Sequence, residues 1–241
     1  MKALPLAMLL MACGPTVTMM PTTTSDVFGD VHSGSYHLGP VDWEQSVWTN
    51  SCAPYPRDVQ LAEGQYLAGV DNSQNSNGGL CDACALVTTR LSKSLLVRII
   101  TTGVSKAPGD MDLSPEAYAV LHQEDPQGTN ANPRPMTWQL AKCAPEAGKI
   151  RIQYQTQANV DWTSFWVRSP RLPLAKVEVQ SSKHANFTAL RRETDGTWND
   201  DGGFGAGAFT LRFTSTTGAS VSQQFSSFQP GQLVVTEQQF E

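Results

Sequence analysis

Short apolar stretches, each bounded by turn-forming residues, recur along the whole chain and predict many β-strands. The clearest are residues 84–89 and 95–101, which are rich in Leu, Val and Ile and are separated by a short polar turn. Alternation also predicts a first strand at 32–39 and a strand at 148–154 that closes the set of the first domain. The small residues at 66–70 could pack closely on a neighbouring segment. Because long helical patterns are scarce while Gly, Pro, Thr, Ser and Gln are plentiful, the chain is predicted to be all-β.

One segment combines a strand signal, a carboxylate and the start of a helix. The apolar run 95–100 is followed, after a loop, by Asp112 and then by Ser114 and Pro115. Ser114 is a favourable N-cap, and Pro115 fits the first position of a helix. This arrangement fixes an acid at the rim of a β-barrel, so Asp112 is the first candidate for acid–base chemistry. The alternative is that Asp112 only accepts hydrogen bonds from the loop backbone, as Asp commonly does in turns.

Composition and charge narrow the classes of function. With 241 residues, the chain is long enough for one large or two small domains. Its net charge is −5 and it has no stripe or tail of Lys and Arg, so no nucleic-acid partner is expected. No cofactor is expected. No metal site is expected either, because the C-x-x-C pair at 81–84 is not accompanied by a second such pair or by paired His residues.

The N-terminal segment has the features of a targeting signal. Residues 1–12 contain Lys2 and then an apolar stretch that is too short to span a bilayer, which is typical of a signal peptide. The sequence LMAC ending at Cys13 resembles a lipobox, so Cys13 is predicted to be lipidated and followed by a flexible tether over 13–27. The protein is thus expected to be exported to the cell envelope, with a lipid anchor as its only membrane contact. The alternative is an ordinary signal peptide with an incidental Cys.

Four further cysteines predict disulfide bonds. Cys52, Cys81, Cys84 and Cys143 form an even set in a chain that is expected to be exported, so two bridges with three possible connectivities are predicted. A redox role for the C-x-x-C pair would require a helix to begin at the motif. A strand follows instead, which favours structural disulfides.

Two motifs together resemble the first domain of microbial expansins. They are NGGLCDACALV at 77–87 and PGDMDLSPEAY at 108–118. The resemblance covers about residues 32–154 and implies a six-stranded double-psi β-barrel, similar to that of family 45 endoglucanases, as a first domain over 28–154. It also implies that Cys52 pairs with Cys81, which leaves Cys84 for Cys143.

The same resemblance suggests a polysaccharide site in this barrel. Asp112 matches the general acid of the related glycosidases, while His37, its neighbour Tyr36 and Thr102 fall near the family's substrate pocket. Thr102 stands where the family has a second Asp, and the nearby Asp110 is predicted to be a solvated turn residue. Glycoside hydrolysis generally needs two carboxylates, so weak or absent hydrolysis is expected, with sugar binding retained.

A second domain is predicted over 162–241, after a short polar linker at 155–161. Its short strands are separated by turns at steps of roughly ten residues, which is typical of an antiparallel sandwich. The order of these segments resembles the second domain of microbial expansins, an immunoglobulin-like β-sandwich that serves as a carbohydrate-binding module. In this resemblance Trp198 matches a buried aromatic residue.

The first strand of this second domain carries two Trp side chains on one face. Alternation places Phe165 and Val167 on the core side, and Trp162, Trp166 and Arg168 on the opposite side. The two indoles are then about 13 Å apart along the strand, and their flat faces could stack on a glycan chain. The alternative is that both are half-buried packing residues, as large aromatic side chains often are.

These features together predict an expansin-like protein that binds a wall polysaccharide and loosens it without hydrolysis. Cellulose, hemicellulose and peptidoglycan are the candidate partners, and a monomer is expected. One alternative is a weak glycosidase or a lytic transglycosylase that acts on peptidoglycan through Asp112. Another is an envelope structural protein without affinity for glycans.

Overall fold

The protein forms a closed β-barrel followed by a β-sandwich. This computed structural model describes residues 27–39, 41, 51–52, 66–103, 107–123, 134–144 and 148–241. The predicted all-β class and its order, barrel first and sandwich second, are confirmed. The predicted signal peptide, the lipidation of Cys13 and the tether up to residue 26 lie outside the described residues. Within the described part of the chain, no helix has the length and apolar character needed to cross a membrane.

Six strands close the barrel in the order β1-β5-β2-β4-β3-β6. β1 and β5 are parallel, as are β2 and β4, while β3 pairs in antiparallel fashion with β4 and β6. The strands predicted at 32–39, 84–89 and 95–101 are all present, and the small-residue segment at 66–70 forms a further strand. The six strands are β1 (Val27–Leu38), β2 (Tyr66–Val70), β3 (Cys84–Thr89), β4 (Ser94–Thr102), β5 (Met111–Leu113) and β6 (Arg134–Ala141).

The helix α1 (Pro115–Gln123) begins where the capping residues predict it. Ser114 Oγ accepts a hydrogen bond from the backbone N–H of Ala117 at 3.3 Å, which satisfies one of the free donors of the first turn. Ala117 and Leu121 are buried in the barrel core, so α1 packs on the barrel and fixes the end of β5.

The strand predicted to close the barrel belongs to the sandwich instead. β7 (Arg151–Tyr154) pairs with β8 (Thr163–Arg168) and with β15 (Leu233–Val235), and not with a barrel strand. The alternation of Ile152 and Tyr154 predicted the strand correctly but carries no information about its partners. The limits of the two domains otherwise stay a prediction.

Two sheets pack face to face to form the sandwich. The five-stranded sheet has the order β11-β12-β8-β7-β15 and the four-stranded sheet has the order β10-β9-β13-β14. Their shared core is rich in aromatic side chains, including Phe165, Trp198 and Phe213, so the predicted burial of Trp198 is observed. The remaining strands are β9 (Leu174–Gln180), β10 (Thr188–Ala189), β11 (Arg191–Arg192), β12 (Thr197–Asp200), β13 (Phe209–Ser215) and β14 (Ser220–Phe225).

Both disulfides form with the implied connectivity. Cys52 is bonded to Cys81, and Cys84 is bonded to Cys143. Because the two cysteines of the C-x-x-C pair bond to different partners, the redox interpretation of that motif does not apply. The first bridge joins two turns, and the second ties the segment after β6 to β3. Cys143 also exchanges hydrogen bonds with Arg171 of the sandwich.

A buried charge cluster joins the barrel to the sandwich. Nη1 of Arg168 donates to Asp82 Oδ2 at 2.6 Å and to the carbonyl oxygen of Cys52 at 2.7 Å. Nη1 of Arg98 in β4 lies 3.6 Å from Asp82 Oδ1 and donates to the Asp82 carbonyl oxygen at 3.0 Å. Arg98, Asp82 and Arg168, hereafter the locking triad, therefore hold the two domains together through side chains that are almost fully excluded from water.

Candidate functional site

His37 and Asp112 lie side by side on the outer face of the barrel. They are register partners on the parallel strands β1 and β5, and Gly69 of β2 is the partner of Asp112 on the other side. The residues on either side of Asp112, Met111 and Leu113, are fully buried in the barrel core. Since side chains alternate along a strand, the Asp112 carboxyl and the His37 imidazole share the opposite face.

The loop before Asp112 is held in place by three elements. Its Gly109 carbonyl oxygen accepts a hydrogen bond from Trp138 Nε1 at 2.9 Å, and its Gly109 N–H donates to Gln74 Oε1 at 2.9 Å. The loop packs directly on β1, because a Cβ on Gly34 would lie 2.2 Å from the Gly109 oxygen. Glycine at position 34 thus permits a close backbone contact with Gly109, and this contact fixes Asp110, the residue after Gly109.

Asp110 pairs with His37, and the prediction that it is only a solvated turn residue is wrong. Its Oδ1 accepts the backbone N–H of Ser35 at 2.8 Å, and its Oδ2 lies 3.2 Å from His37 Nε2. This contact assigns the proton of a neutral His37 to Nε2, so Nδ1 carries the lone pair. Nδ1 is buried and has no hydrogen-bond partner among the described residues. No local pattern predicts this pair, because its members are 73 positions apart.

Asp112 is largely covered by the chain that leaves β1. Its residue exposure is 7%, and a Cβ on Gly39 would lie 2.6 Å from the Asp112 Cβ. The N–H of Gly39 donates to the carbonyl oxygen of Leu113 at 2.9 Å, which holds the two segments together. A side chain at position 39 would therefore displace Asp112.

Thr102 does not lie beside Asp112. Gly69 is the register partner of Asp112 and of Thr101, whereas Val70 is the partner of Thr102. Thr102 therefore projects from the other face of the sheet. Its hydroxyl contacts Ser51 Oγ at 2.8 Å, and its N–H donates to the same oxygen at 2.7 Å.

Tyr36 belongs to the barrel core and does not fit a role in substrate binding. It is fully buried, and its ring makes an edge contact with Tyr118, with 5.7 Å between centroids. Alternation along β1 explains this position, because the neighbour of an outward-facing His37 must point inward. The predicted role of Tyr36 in substrate binding is therefore wrong for a side chain in the barrel core.

Trp166 is also buried, which excludes it as an exposed platform for sugars in this structure. Its Nε1 donates to the carbonyl oxygen of Asp195 at 3.1 Å, and the Arg168 guanidinium carbon lies 5.1 Å from its ring centre. The physical reason is that the barrel docks on this face of β8, through Arg168 and Asp82. The predicted row of two exposed indoles is therefore reduced to one.

Trp162 is the indole that remains partly exposed on this side of the sandwich. Its backbone N–H donates to Asn159 Oδ1 at 3.1 Å, and its carbonyl oxygen accepts the Asn159 N–H at 2.8 Å. The neighbouring Asp161 forms an exposed ion pair with Lys183 at 2.8 Å. The turn before β8 thus fixes Trp162 while leaving part of its ring accessible.

The chemistry available at these places is proton exchange and stacking. Asp112 with the His37–Asp110 pair offers groups that can accept or donate protons, whereas Trp162 offers a flat apolar surface. Hydrogen bonds from Ser73 lower the pKa of Asp71, which keeps a further negative charge on the loop after β2. Among the described residues, no group of three or more His, Cys, Asp or Glu side chains is placed to hold a metal ion.

The comparisons with known proteins all lead to one kind of protein, although no family model matches the chain. Expansin-like protein 6 of Dictyostelium discoideum is 23% identical over 168 residues, which cover 68% of this chain and 56% of that protein. Expansin-like protein 3 of the same organism is 24% identical over 187 residues, which cover 75% of this chain and 53% of that protein. The chain thus spans about half the length of these relatives.

Two crystal structures match the whole fold. One is a point mutant of an expansin from Clavibacter michiganensis in complex with cellohexaose, with a TM-score of 0.71 and 19% identity. The other is the apo form of that expansin, with a TM-score of 0.71 and 20% identity. Each match covers 88% of this chain and 98% of the other chain. The order of barrel and sandwich is therefore the same in both proteins.

Proposed function

Because the chain is expansin-like in sequence and in fold, we propose that it binds a cell-wall polysaccharide and loosens it without hydrolysis. The glycan would lie against the partly exposed indole of Trp162 and reach the outer face of the barrel at Asp112. The related expansin solved with cellohexaose supports a β-linked glucan such as cellulose as the ligand.

The observation that carries this proposal is the exposed part of Trp162 on a sandwich that is locked to the barrel. An aromatic ring presents an apolar face that can stack on the C–H face of a sugar. The turn at Asn159 fixes this ring, and the locking triad fixes its distance from Asp112. Two pre-positioned contacts on one molecule lower the entropic cost of binding a long chain.

Charge favours an uncharged glycan over an anionic one. The chain has a net charge of −5, and Asp110 and Asp112 stand together at the barrel site. Asp161, next to Trp162, is paired with Lys183, so the negative charge that bears on a ligand lies at the barrel contact. Repulsion of like charges would weaken binding to peptidoglycan or another acidic polymer, whereas cellulose and neutral hemicelluloses are unaffected.

We place the protein outside the cytoplasm, acting as a monomer. Both disulfides are consistent with export to an oxidising environment. Retention at the membrane through a lipid on Cys13 is part of the proposal, and mass spectrometry of the membrane fraction would test it.

A pull-down with the full chain tests the function. The wild type is incubated with cellulose and with peptidoglycan sacculi, and soluble sugars are measured in the same tubes. Trp162→Ala is expected to weaken cellulose binding roughly tenfold, about 1.4 kcal/mol. Val235→Ala, which trims an exposed apolar side chain elsewhere on the same sheet, is the control and should bind as the wild type does.

Loosening is measured separately, as a loss of mechanical strength of cellulose paper without release of reducing sugar. Binding together with weakening of the paper would support the proposal. No binding to either polymer would overturn it, and would favour an envelope structural protein without glycan affinity.

The pairing of His37 with Asp110 favours a second candidate, a weak glycosidase that acts through Asp112. Hydrolysis needs a proton donor and a second group that accepts a proton from water. Asp112 would be the donor, and the Asp110 carboxylate, held by His37 and 13% exposed, would be the acceptor. Release of reducing ends that is lost in both Asp112→Asn and His37→Gln would support this activity. Unchanged release in both variants would exclude it.

A further inference from the structure

His32, on β1, contacts both side chains that hold the loop before β5. Its ring stacks on the ring of Trp138, with 4.1 Å between centroids and 21° between planes. Its Nδ1 lies 3.3 Å from Nε2 of Gln74. Trp138 binds the carbonyl oxygen of Gly109, and Gln74 binds the N–H of the same residue. Both attachments of Gly109 to side chains therefore lead to one imidazole.

Gly109 depends on these attachments because it has no side chain of its own and no room for one. A Cβ on Gly109 would lie 2.1 Å from the carbonyl oxygen of Ser33, and its φ is positive, at 93°. Asp110 follows directly, with one carboxylate oxygen on the N–H of Ser35 and the other 3.2 Å from His37 Nε2. A shift of Gly109 would therefore move the carboxylate that holds His37.

The hydrogen-bond pattern fixes which atom of His32 is the acceptor. Gln74 Oε1 accepts the N–H of Gly109, so the group of Gln74 that faces His32 is its Nε2 amino group. An amide nitrogen only donates, so Nδ1 of His32 must carry a lone pair. His32 is therefore neutral in this arrangement, with its proton on Nε2.

A proton on Nδ1 of His32 would break this pattern. Two donors would then face each other, and the Gln74 amide would have to turn its oxygen towards His32 and release Gly109. The stack on Trp138 would persist, because a cationic ring is attracted to the face of an indole. Histidine is the side chain that changes charge between about pH 5 and 8, so acid should release one attachment of Gly109 and leave the other.

The other titratable and charged groups near His32 do not produce this effect. On the segments that pack around it they are Asp30 and His37 on β1, Asp71 on the loop after β2, Asp110 on the loop before β5 and Arg134 on β6. Among the described residues, no carboxylate is bonded to His32, whose contacts are with Gln74 and Trp138. A proton on His37 would place a cation beside Asp110 and would strengthen that contact. A loss of order in acid therefore points to His32 and not to His37.

We propose that His32 is a positioning residue for the Asp110–His37 pair, which acts through Gln74 and Trp138 and releases the Gln74 attachment when it gains a proton. That this pair serves a glycan rests on the proposed function, whereas the positioning is a property of the folded protein alone. His32 then makes the order of the barrel site depend on pH without touching a ligand itself.

Amide hydrogen exchange of Gly109, followed by NMR in the full chain without ligand, tests the proposal. Protection is taken relative to the intrinsic exchange rate at each pH, and is compared at about pH 8 and about pH 5. In the wild type it should fall about fivefold in acid, the factor for losing one neutral hydrogen bond. The Nε1–H of Trp138 should stay protected at both pH values and serves as an internal reference.

Three variants separate the roles of the imidazole. His32→Asn keeps an acceptor oxygen that does not titrate, so the protection of Gly109 should be the same at both pH values. His32→Phe keeps a ring on Trp138 but has no acceptor, so the protection should be low at both. The matched control is His184→Asn, which removes a histidine of the sandwich that is paired with Asp200. In this control Gly109 should respond to pH as it does in the wild type.

The outcomes separate the proposal from the proposed function. A fall in the protection of Gly109 in the wild type that is absent in His32→Asn supports the proposal. Equal protection at both pH values in the wild type overturns it, and so does a fall of the same size in His32→Asn or normal protection in His32→Phe. Because no glycan is present, none of these results bears on the proposed function, and a wild type that fails to bind cellulose leaves the positioning by His32 in place.

Discussion

The locking triad gives the sharpest prediction about stability. The change Asp82→Asn removes a single negative charge that faces two buried guanidinium groups, those of Arg98 and Arg168. The exposed fraction of the side chain is 4% for Asp82, 1% for Arg98 and 0% for Arg168. Asn keeps the shape of Asp and tolerates the positive φ of 65° at this position, so the backbone need not move. The substitution therefore removes the charge, and one of the two acceptor oxygens that face the guanidinium groups, while the shape of the side chain is kept.

The expected cost follows from this burial. Removing one partner of a buried ion pair costs about 3–5 kcal/mol, because the remaining charge stays excluded from water. Asp161→Asn is the control, since it breaks the Asp161–Lys183 pair, whose carboxylate side chain is 79% exposed. A surface pair of this kind contributes less than about 1 kcal/mol.

Urea unfolding monitored by Trp fluorescence measures both variants. We expect Asp82→Asn to lower the free energy of unfolding by several kcal/mol and to separate the transitions of the two domains, because the triad spans their interface. Asp161→Asn should unfold as the wild type does. If both variants lie within about 1 kcal/mol of the wild type and show one transition, the assignment of the triad as the lock is wrong.

Three further changes test other parts of the structure. Burial raises the pKa of Tyr154, and its hydroxyl has no hydrogen-bond partner among the described residues. Tyr154→Phe should therefore stabilise the protein by about 1 kcal/mol in thermal unfolding. Because the unfolded state ionises this hydroxyl above about pH 10 while the folded state does not, the substitution should also abolish that part of the stability loss at high pH. The hydrogen bond from Arg212 lowers the pKa of Glu178. The stability that this carboxylate contributes is present above its unfolded pKa of about 4.5, and it is lost as the pH falls through the lower folded pKa. In an acid titration followed by circular dichroism, Glu178→Gln should therefore lose less stability than the wild type. Replacing Cys52 and Cys81 by Ser should lower the urea midpoint, with a cost of about 2–5 kcal/mol. An unchanged midpoint would contradict a structural role for that bridge.

Local signals in the sequence predicted much of the fold. The apolar runs of β3 and β4 and the capping residues before α1 act over a few neighbouring positions, so the sequence shows them directly. The positions of the cysteines do not determine the disulfide connectivity, since four cysteines allow three pairings. The resemblance to expansins supplied the pairing that the structure has.

Contacts between distant parts of the chain were not predictable in the same way. Alternation showed that Trp162 and Trp166 share a face, but it carries no information about what covers that face. Trp166 contacts Asp195 and Arg168, and Arg168 in turn binds Asp82 of the barrel, 86 positions away in the chain. The pairing of Asp110 with His37 likewise depends on the path of the barrel, and so the predicted solvation of Asp110 was wrong.

Under the proposed function, the lock between the domains has a consequence for the shape of polymer that the protein would recognise. Two domains on a flexible tether could each adjust to a bent chain, whereas this protein offers Trp162 and Asp112 at one set separation and along one direction. A straight, extended glucan would touch both places at once if it binds as proposed. A coiled glucan with the same monomer curves away from one of them and gains only a single contact. Discrimination between cellulose and amylose would then rest on the conformation of the polymer, and not on the sugar itself.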